Sequence, residues 1–372
     1  MSDRIPVTLL TGFLGAGKTT LLNHLLGDAT AGRIAVIVNE FGEAGLDHDL
    51  IEATAEDVIL MASGCICCTI RSDLARTMGD LYDRRSRGEL AFDRVVIETT
   101  GLADPGPVHH TLMLEPAISR SFRLDGVVTV VDAILGIGTL DRHAEAQAQV
   151  AMADQIVLTK TDLATKTQID MLSVRLDQIN HRAPRVIADK GRVASGCLFD
   201  LNDGRMGNGA AAINWLGMKP DPLAGLSGLA SVSTGGALPG FPTTAPHHAQ
   251  GSIISTAAIT IDAPIPAPVF DFWLDMLIGV QGDTILRLKA IICIEDAPCP
   301  FVLHGVQHIL EQPVPLRDWP ADDFTSRVVL IARDSSVEHL RAHLELLRMR
   351  PDPRKVEYVI DKDPEFPTRV GT

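Results

Sequence analysis

A chain of 372 residues, 46% hydrophobic and 22% charged, is long enough for about two globular domains with sizeable cores. Aromatic residues make up only 4%, so aliphatic packing must carry those cores. The formal net charge of −14 argues against a non-specific nucleic-acid binder, which shows a basic patch or stripe. It leaves room for one small anionic ligand held by a local loop.

The first 17 residues are apolar, but Lys18 follows at once and the layout is not that of a secretory signal. No unbroken apolar run reaches the ~18–20 residues of a membrane span. Residues 222–261 lack Asp, Glu, Lys and Arg, yet Gly, Pro, Ser and Thr interrupt them. No membrane association is expected. Three of the six cysteines crowd into Cys65-Ile66-Cys67-Cys68, and Cys197, Cys293 and Cys299 are scattered. That spacing differs from a secreted disulfide framework, and a cytoplasmic location is expected.

Along the first two hundred residues, short apolar runs alternate with helical patterns, as in βαβ units around a parallel sheet. Strands are expected at 7–10, 34–38, 94–97, 126–131, 155–158 and 185–188, all apolar enough to be covered on both faces. A helix is expected at 72–85, where Leu74, Met78 and Leu81 follow i, i+4, i+7 spacing and Ser72 serves as N-cap. Another is expected at 144–153. Residues 204–251 are rich in Gly, Pro and Ser and read as a linker or loop. Beyond them, strands at 253–261, 285–294, 301–310 and 327–332 and helices at 267–277 and 337–347 suggest an antiparallel α+β unit. An extended tail is expected after Arg350.

The strongest motif is Gly12-Phe13-Leu14-Gly15-Ala16-Gly17-Lys18-Thr19, which fits G-x-x-x-x-G-K-[ST]. It follows an apolar strand and opens a helix, the context in which backbone N–H groups and a helix N-terminus cradle phosphates. Lys18 would neutralise the β- and γ-phosphates, and Thr19 would offer its hydroxyl to Mg²⁺. Glu98 ends the run Val95-Val96-Ile97 and is followed by Thr99-Thr100-Gly101. It is the candidate carboxylate for the Mg²⁺ region at the sheet's C-terminal edge. Gly101 would let the backbone approach the γ-phosphate. Thr159-Lys160-Thr161-Asp162 looks like the guanine-reading motif of GTPases, in which a carboxylate accepts from guanine N1–H and the exocyclic amine. Asp162 is the candidate reader, with a helix cap as the plainer alternative. The expected architecture is therefore α/β. A P-loop NTPase domain with a mainly parallel sheet spans 1–203, a linker 204–251, and a smaller C-terminal α+β domain with its tail 252–372.

Cys65, Cys67 and Cys68 place three thiols within four residues, a soft site suited to Zn²⁺ or Cu(I) with one tetrahedral position left for exchange. Redox chemistry and simple packing are the competing readings. Together, GFLGAGKTT, NEFGE at 39–43, GCICC at 64–68, ETTG at 98–101 and TKTD at 159–162 resemble the CobW family of metallochaperone GTPases. His304-Gly305-Val306-Gln307-His308 is similar to that family's C-terminal domain, so the resemblance covers both patterned regions.

The resemblance implies GTP hydrolysis, Zn²⁺ or in some branches Co²⁺ at the cysteines, and delivery to a metal-requiring client protein. It implies that Gly15, Ala16, Gly17, Lys18, Thr19 and Thr20 bind phosphate and Mg²⁺. Glu98 serves the Mg²⁺ and γ-phosphate region, Lys160 and Asp162 face the base, and Glu43 stands beside the transferred metal. Val38 occupies a position where relatives carry a second carboxylate. Two alternatives remain open here: a subunit assisting cobalt insertion in cobalamin synthesis, and a GTPase switch whose cysteines sense redox state. Monomer and homodimer both fit.

No water-orienting Gln is evident; Asp47 and Asp49 read foremost as solvated acids. His304 and His308 are expected on one strand face, chiefly as ordinary surface or core histidines. His109-His110 and His247-His248 are too short for metal-storage tracts. Cys293 and Cys299 read as structural.

Overall fold

Seven segments form one sheet, and its central strands are apolar runs buried on both faces, a pattern that suits parallel strands flanked by helices. The computed structural model describes residues 4–39, 59–63, 70–202, 212–213, 215–216, 254–282, 284–307, 309–320 and 322–350. In the N-terminal domain the elements run β1 (Ile5–Gly12), α1 (Lys18–Leu26), β2 (Ile34–Asn39), β3 (Ile59–Ser63) and α2 (Ile70–Ser86). Next come β4 (Arg94–Thr99), α3 (Gly106–Leu114), α4 (Pro116–Ser119) and β5 (Phe122–Asp132). The domain ends with α5 (Gly136–Arg142), α6 (Ala144–Ala151), β6 (Gln155–Thr159), α7 (Lys166–Asn180) and β7 (Arg185–Ile187).

The sheet order is β3-β2-β4-β1-β5-β6-β7, and every pairing is parallel. Parallel register brings the carboxyl ends of β1, β4, β5 and β6 to one edge, where ligands of open α/β sheets bind. All six expected strands are present. β3 had not been expected. Its sequence, Ile-Leu-Met-Ala-Ser, is short and carries one β-branched residue. α2 starts at Ile70, two residues before the expected cap, so Ser72 lies inside its first turn rather than capping it. Leu74, Met78 and Leu81 do face the core.

The C-terminal domain comprises β8 (Ile254–Ile261), α8 (Ala267–Gln281), β9 (Ile285–Ile292), β10 (Phe301–Val306), β11 (Ile309–Leu310), β12 (Val314–Pro315), β13 (Ser326–Arg333) and α9 (Val337–Glu345). Its sheet order is β11-β10-β9-β13-β8, antiparallel throughout, with β12 pairing β10. One correction concerns residues 301–310. They form a hairpin, with Val306 opposite Ile309 and Gln307 at φ 54°, and not the single continuous strand expected. His308 itself lies outside the described residues, as do His247, His248 and the tail after Arg350.

Both faces of this second sheet are covered, and strand alternation sorts the partners. Leu288, Ala290, Ile292, Val328 and Leu330 pack under Trp273 of α8 and Leu340 and Leu344 of α9. On the opposite face, Ile291, Val302 and Val329 pack against Ala212, Trp215 and Leu216. The stretch expected to be a linker is thus anchored at that point, through a tryptophan that composition alone does not flag. Leu286 and Ile331 extend the same face into the N-terminal core, beside Val150, Leu176 and Ile179.

A buried charge cluster fixes this junction. Asp154, at the start of β6, pairs with Arg287 and, at 3.0 Å, with Lys289 of β9, and it also accepts Val127 N–H at 3.0 Å. Burial alone would raise the Asp154 pKa, but the two cations overcome it and hold the carboxyl far below the usual range. Thr256 adds a cross-domain bond, donating its hydroxyl to Ile179 O at 2.7 Å.

Asp154→Ala is expected to destabilise the chain by about 3–5 kcal/mol, because it strands two buried cations. Urea unfolding checks this, and a loss below about 1 kcal/mol, the worth of a surface pair, would contradict a buried electrostatic junction.

Candidate functional site

The loop between β1 and α1 carries the phosphate-binding motif. Gly17 stands at the helix N-cap with φ 99°, a left-handed conformation that glycine adopts without strain. The turn leaves the first backbone N–H groups of α1 facing the sheet edge. Lys18 is buried, and its ammonium donates to Gly12 O at 2.9 Å and Phe13 O at 3.4 Å. Beside it, the Thr19 hydroxyl donates to Glu98 Oε1 at 3.2 Å.

These groups line a cavity of about 630 Å³. Gly15, Gly17, Lys18, Thr19, Thr20, Glu98, Gly101 and Lys160 all contribute to its wall, so the structure gathers most of the expected site residues around one space. Gly12 and Ala16 lie in the same loop, behind it. Val38 also lines the cavity, at the end of β2. Asp162 is exposed and is not part of the wall. Glu43, Cys65, Cys67 and Cys68 lie outside the described residues, as do Asp47 and Asp49.

The Thr19 and Glu98 oxygens suit a hard cation. Neighbouring vertices of an octahedron with metal–oxygen distances of about 2.0–2.1 Å lie about 2.8–3.0 Å apart, so this 3.2 Å pair needs to close by only a few tenths of an ångström. The base-side motif is built more firmly than its sequence suggested. Thr159, in place of the commoner Asn, donates its hydroxyl to Ala16 O at 2.6 Å and so ties β6 to the phosphate loop. Lys160 has φ 57° and donates to Gly15 O at 2.8 Å and Asp132 Oδ2 at 2.7 Å.

Asp132 was not among the expected site residues. Its other oxygen accepts Ile134 N–H at 2.7 Å and Leu135 N–H at 3.1 Å, which fixes the turn after β5. The signal was present: Asp132 follows the run Val127–Val131 just as Glu98 follows the run Val95–Ile97.

The segment after Glu98 is held from three sides. Thr99 donates to Thr11 Oγ1 at 2.8 Å, joining β4 to β1. A Cβ on Gly101 would lie 2.5 Å from Leu14 N, so only glycine lets this strand end press against the phosphate loop. The buried Gln149 amide on α6 donates to Gly101 O at 3.2 Å and Ala103 O at 3.0 Å. Three residues on, Asp104 accepts Arg333 of β13 at 3.2 Å and caps Gly106 N–H at 2.8 Å, so the same segment contacts the C-terminal domain. Gln149 and Arg333 left no sequence signal, since neither sits in a motif.

The burial of Cys293 agrees with its structural reading. Burial pushes the Cys293 thiol up to about 11, away from a reactive thiolate, and its N–H donates to Ser326 Oγ.

A strand–loop–helix phosphate cradle facing a carboxylate on the adjacent strand, at the carboxyl edge of a parallel sheet, defines a P-loop nucleotide-binding protein. Residues 6–187 match the CobW/HypB/UreG nucleotide-binding domain, and residues 254–348 match the cobalamin synthesis protein cobW C-terminal domain. The chain belongs to the CobW family of metallochaperone GTPases. The zinc chaperone YjiA of Escherichia coli is 35% identical over 344 residues, covering 92% of this chain and 99% of the relative. The zinc chaperone CobW of a Sinorhizobium species is 37% identical over 230 residues, 54% of this chain and 64% of the relative. A crystal structure of Zn(II)-bound YjiA GTPase from E. coli matches with TM-score 0.67 at 30% identity, over 93% of this chain and 100% of that one.

Gly101→Ala forces the new methyl into Leu14 of the phosphate loop. Overpacking of about 1–3 kcal/mol corresponds to a roughly 5- to 150-fold loss of nucleotide affinity. Titration with a fluorescent guanine nucleotide checks it, and an unchanged dissociation constant would contradict the close approach.

Proposed function

We propose that this protein is a GTP-hydrolysing metallochaperone that carries Zn²⁺ on Cys65, Cys67 and Cys68, with Glu43 beside them, and passes it to a client protein. The observation that carries the reading is the double role of residues 98–104. They wall the nucleotide cavity at one end and pair with the C-terminal domain at the other.

Several roles follow from the geometry. Lys18 exchanges its loop carbonyls for the β- and γ-phosphates, a low-cost move because its ammonium already stands inside the cradle. Bound Mg²⁺ would be held by Thr19 and Glu98 and would neutralise charge developing on the transferred phosphoryl group. Lys160 braces the loop from the base side, and Asp162 closes over guanine from its exposed position in the next turn. Gly101 reports the γ-phosphate, since any shift there pulls on Gln149 and Asp104 together.

The cysteines follow β3 and precede α2, between β2 and β4, the two strands that border the cavity with Val38 and Glu98. A nucleotide-dependent change in cavity shape can therefore reach the thiolate segment through β2, the strand that pairs with β3. Three thiolates favour Zn²⁺ over Co²⁺ at equal availability. We assign nucleotide chemistry to residues 1–203 and client recognition to 252–372, with 204–251 joining them. A reducing cytoplasm keeps the thiols available. Among the described residues, no helix is long and apolar enough to cross a membrane.

The test is Zn²⁺ affinity by chelator competition under reducing conditions, with GDP and then with a non-hydrolysable GTP analogue. Wild type is expected to change affinity between the two states, and Cys67→Ser is expected to lose both tight binding and the difference. Tight binding indifferent to nucleotide would make the zinc structural and overturn the carrier reading.

A further inference from the structure

Helix α3 continues the segment that leaves the nucleotide cavity, and it lays one histidine against the second domain. His109 is only 1% exposed, and neither ring nitrogen has a hydrogen-bond partner. Its ring stands 6.0 Å, edge-on, from His304 of β10. His304 in turn shares a 2.6 Å hydrogen bond between Nδ1 and Glu311 Oε1, just past β11. One donor atom from each of the three residues lies within 4.8 Å of the other two.

A leucine would fill the place of His109 with no polar cost. The imidazole instead stands beside a carboxylate and a second imidazole, inside a buried junction. Asp154 is engaged with Arg287 and Lys289, which leaves Glu311 as the anion facing the cluster. The Trp215 ring, 5.7 Å from His304, closes the outer side.

We propose that His109, His304 and Glu311 form a second metal site, distinct from the cysteine motif, that binds one Zn²⁺- or Co²⁺-like divalent ion between the two domains. Two neutral imidazoles and one carboxylate are a borderline donor set, suited to these ions rather than to Mg²⁺ or Cu(I). Donors on a tetrahedral zinc lie about 3.3–3.5 Å apart, so rotations of roughly an ångström close the site. The ion takes the place of the proton shared by His304 and Glu311, and that proton leaves to solvent.

One ligand comes from the nucleotide domain and two come from the C-terminal domain. Occupancy therefore pins α3 to the β10–β11 hairpin. Gly106, at the head of α3, already packs so closely on Gln307 of that hairpin that a Cβ there would lie 2.6 Å from its amide nitrogen. Metal at this site would hold the Gly101–Asp104 segment in the arrangement seen here.

The experiment removes the cargo site first, so its outcome is independent of the carrier reading. The full chain carrying Cys65→Ser, Cys67→Ser and Cys68→Ser is titrated with Co²⁺ and with Zn²⁺. About one equivalent is expected, with tetrahedral ligand-field bands for Co²⁺ and no thiolate charge-transfer band. His109→Leu in that background removes a ligand without removing a hydrogen bond. It should weaken binding at least roughly tenfold while leaving the circular dichroism unchanged. Glu311→Gln, which keeps the side chain's size, should weaken binding similarly and serves if His109→Leu fails to fold. No binding in the cysteine-free chain, or bands that persist at the same affinity in either variant, would overturn the proposal.

Discussion

The backbone of Gly101 presses on the backbone of Leu14, and the rest of the site is arranged around that contact. It brings the end of β4 within van der Waals distance of the phosphate loop, where no larger residue fits. Because the contact is made by main chain, it does not depend on a rotamer and transmits displacement directly. On one side stand Lys18, Thr19 and Glu98, arranged for a phosphate and a hard cation. On the other, Gln149 and Asp104 hand the position of the segment to α6, α3 and Arg333. The nucleotide cavity and the domain junction are thus two ends of one short piece of chain.

The junction itself is stiff. An apolar seam of Leu286, Ile331, Val150, Leu176 and Ile179 surrounds the buried Asp154 cluster, and a charge pair of this kind fixes register because any slip leaves an ion unpaired. A stiff junction matters for function. A segment that moves between two rigid bodies must either move them together or be blocked by them, whereas a loose junction would absorb the motion. The histidine–carboxylate cluster lies on this same junction, along the path from the cavity to the β10–β11 hairpin.

The sequence disclosed the parts whose physics is local. Apolar runs identified six of the strands of the first sheet, and the G-x-x-x-x-G-K-T loop with its strand and helix located the cavity. Glu98 was legible because an acidic residue ending an apolar strand has few structural reasons to be there, and Asp132 carried the same signal unread. β3 escaped because its five residues, Ile-Leu-Met-Ala-Ser, carry a single β-branched side chain. The β10–β11 turn escaped because Gln307 takes a positive φ where the sequence offers no Gly or Asn to announce it. Gln149, Arg333, Trp215 and His109 were illegible for a different reason. Each acts across the fold on a partner remote in the chain, and no spacing rule connects them. In the sequence His109 is half of a short histidine pair; only packing shows that it meets His304 and Glu311.

The central claim is mechanical: the state of the nucleotide cavity reaches the C-terminal domain through residues 98–104. Amide hydrogen exchange of the full chain, compared between GDP and a non-hydrolysable GTP analogue, tests it most directly. The account predicts that protection changes in the phosphate loop, in α3 and in the β10–β11 hairpin together. A change confined to the phosphate loop and β4, with α3 and the hairpin unaltered, would contradict it.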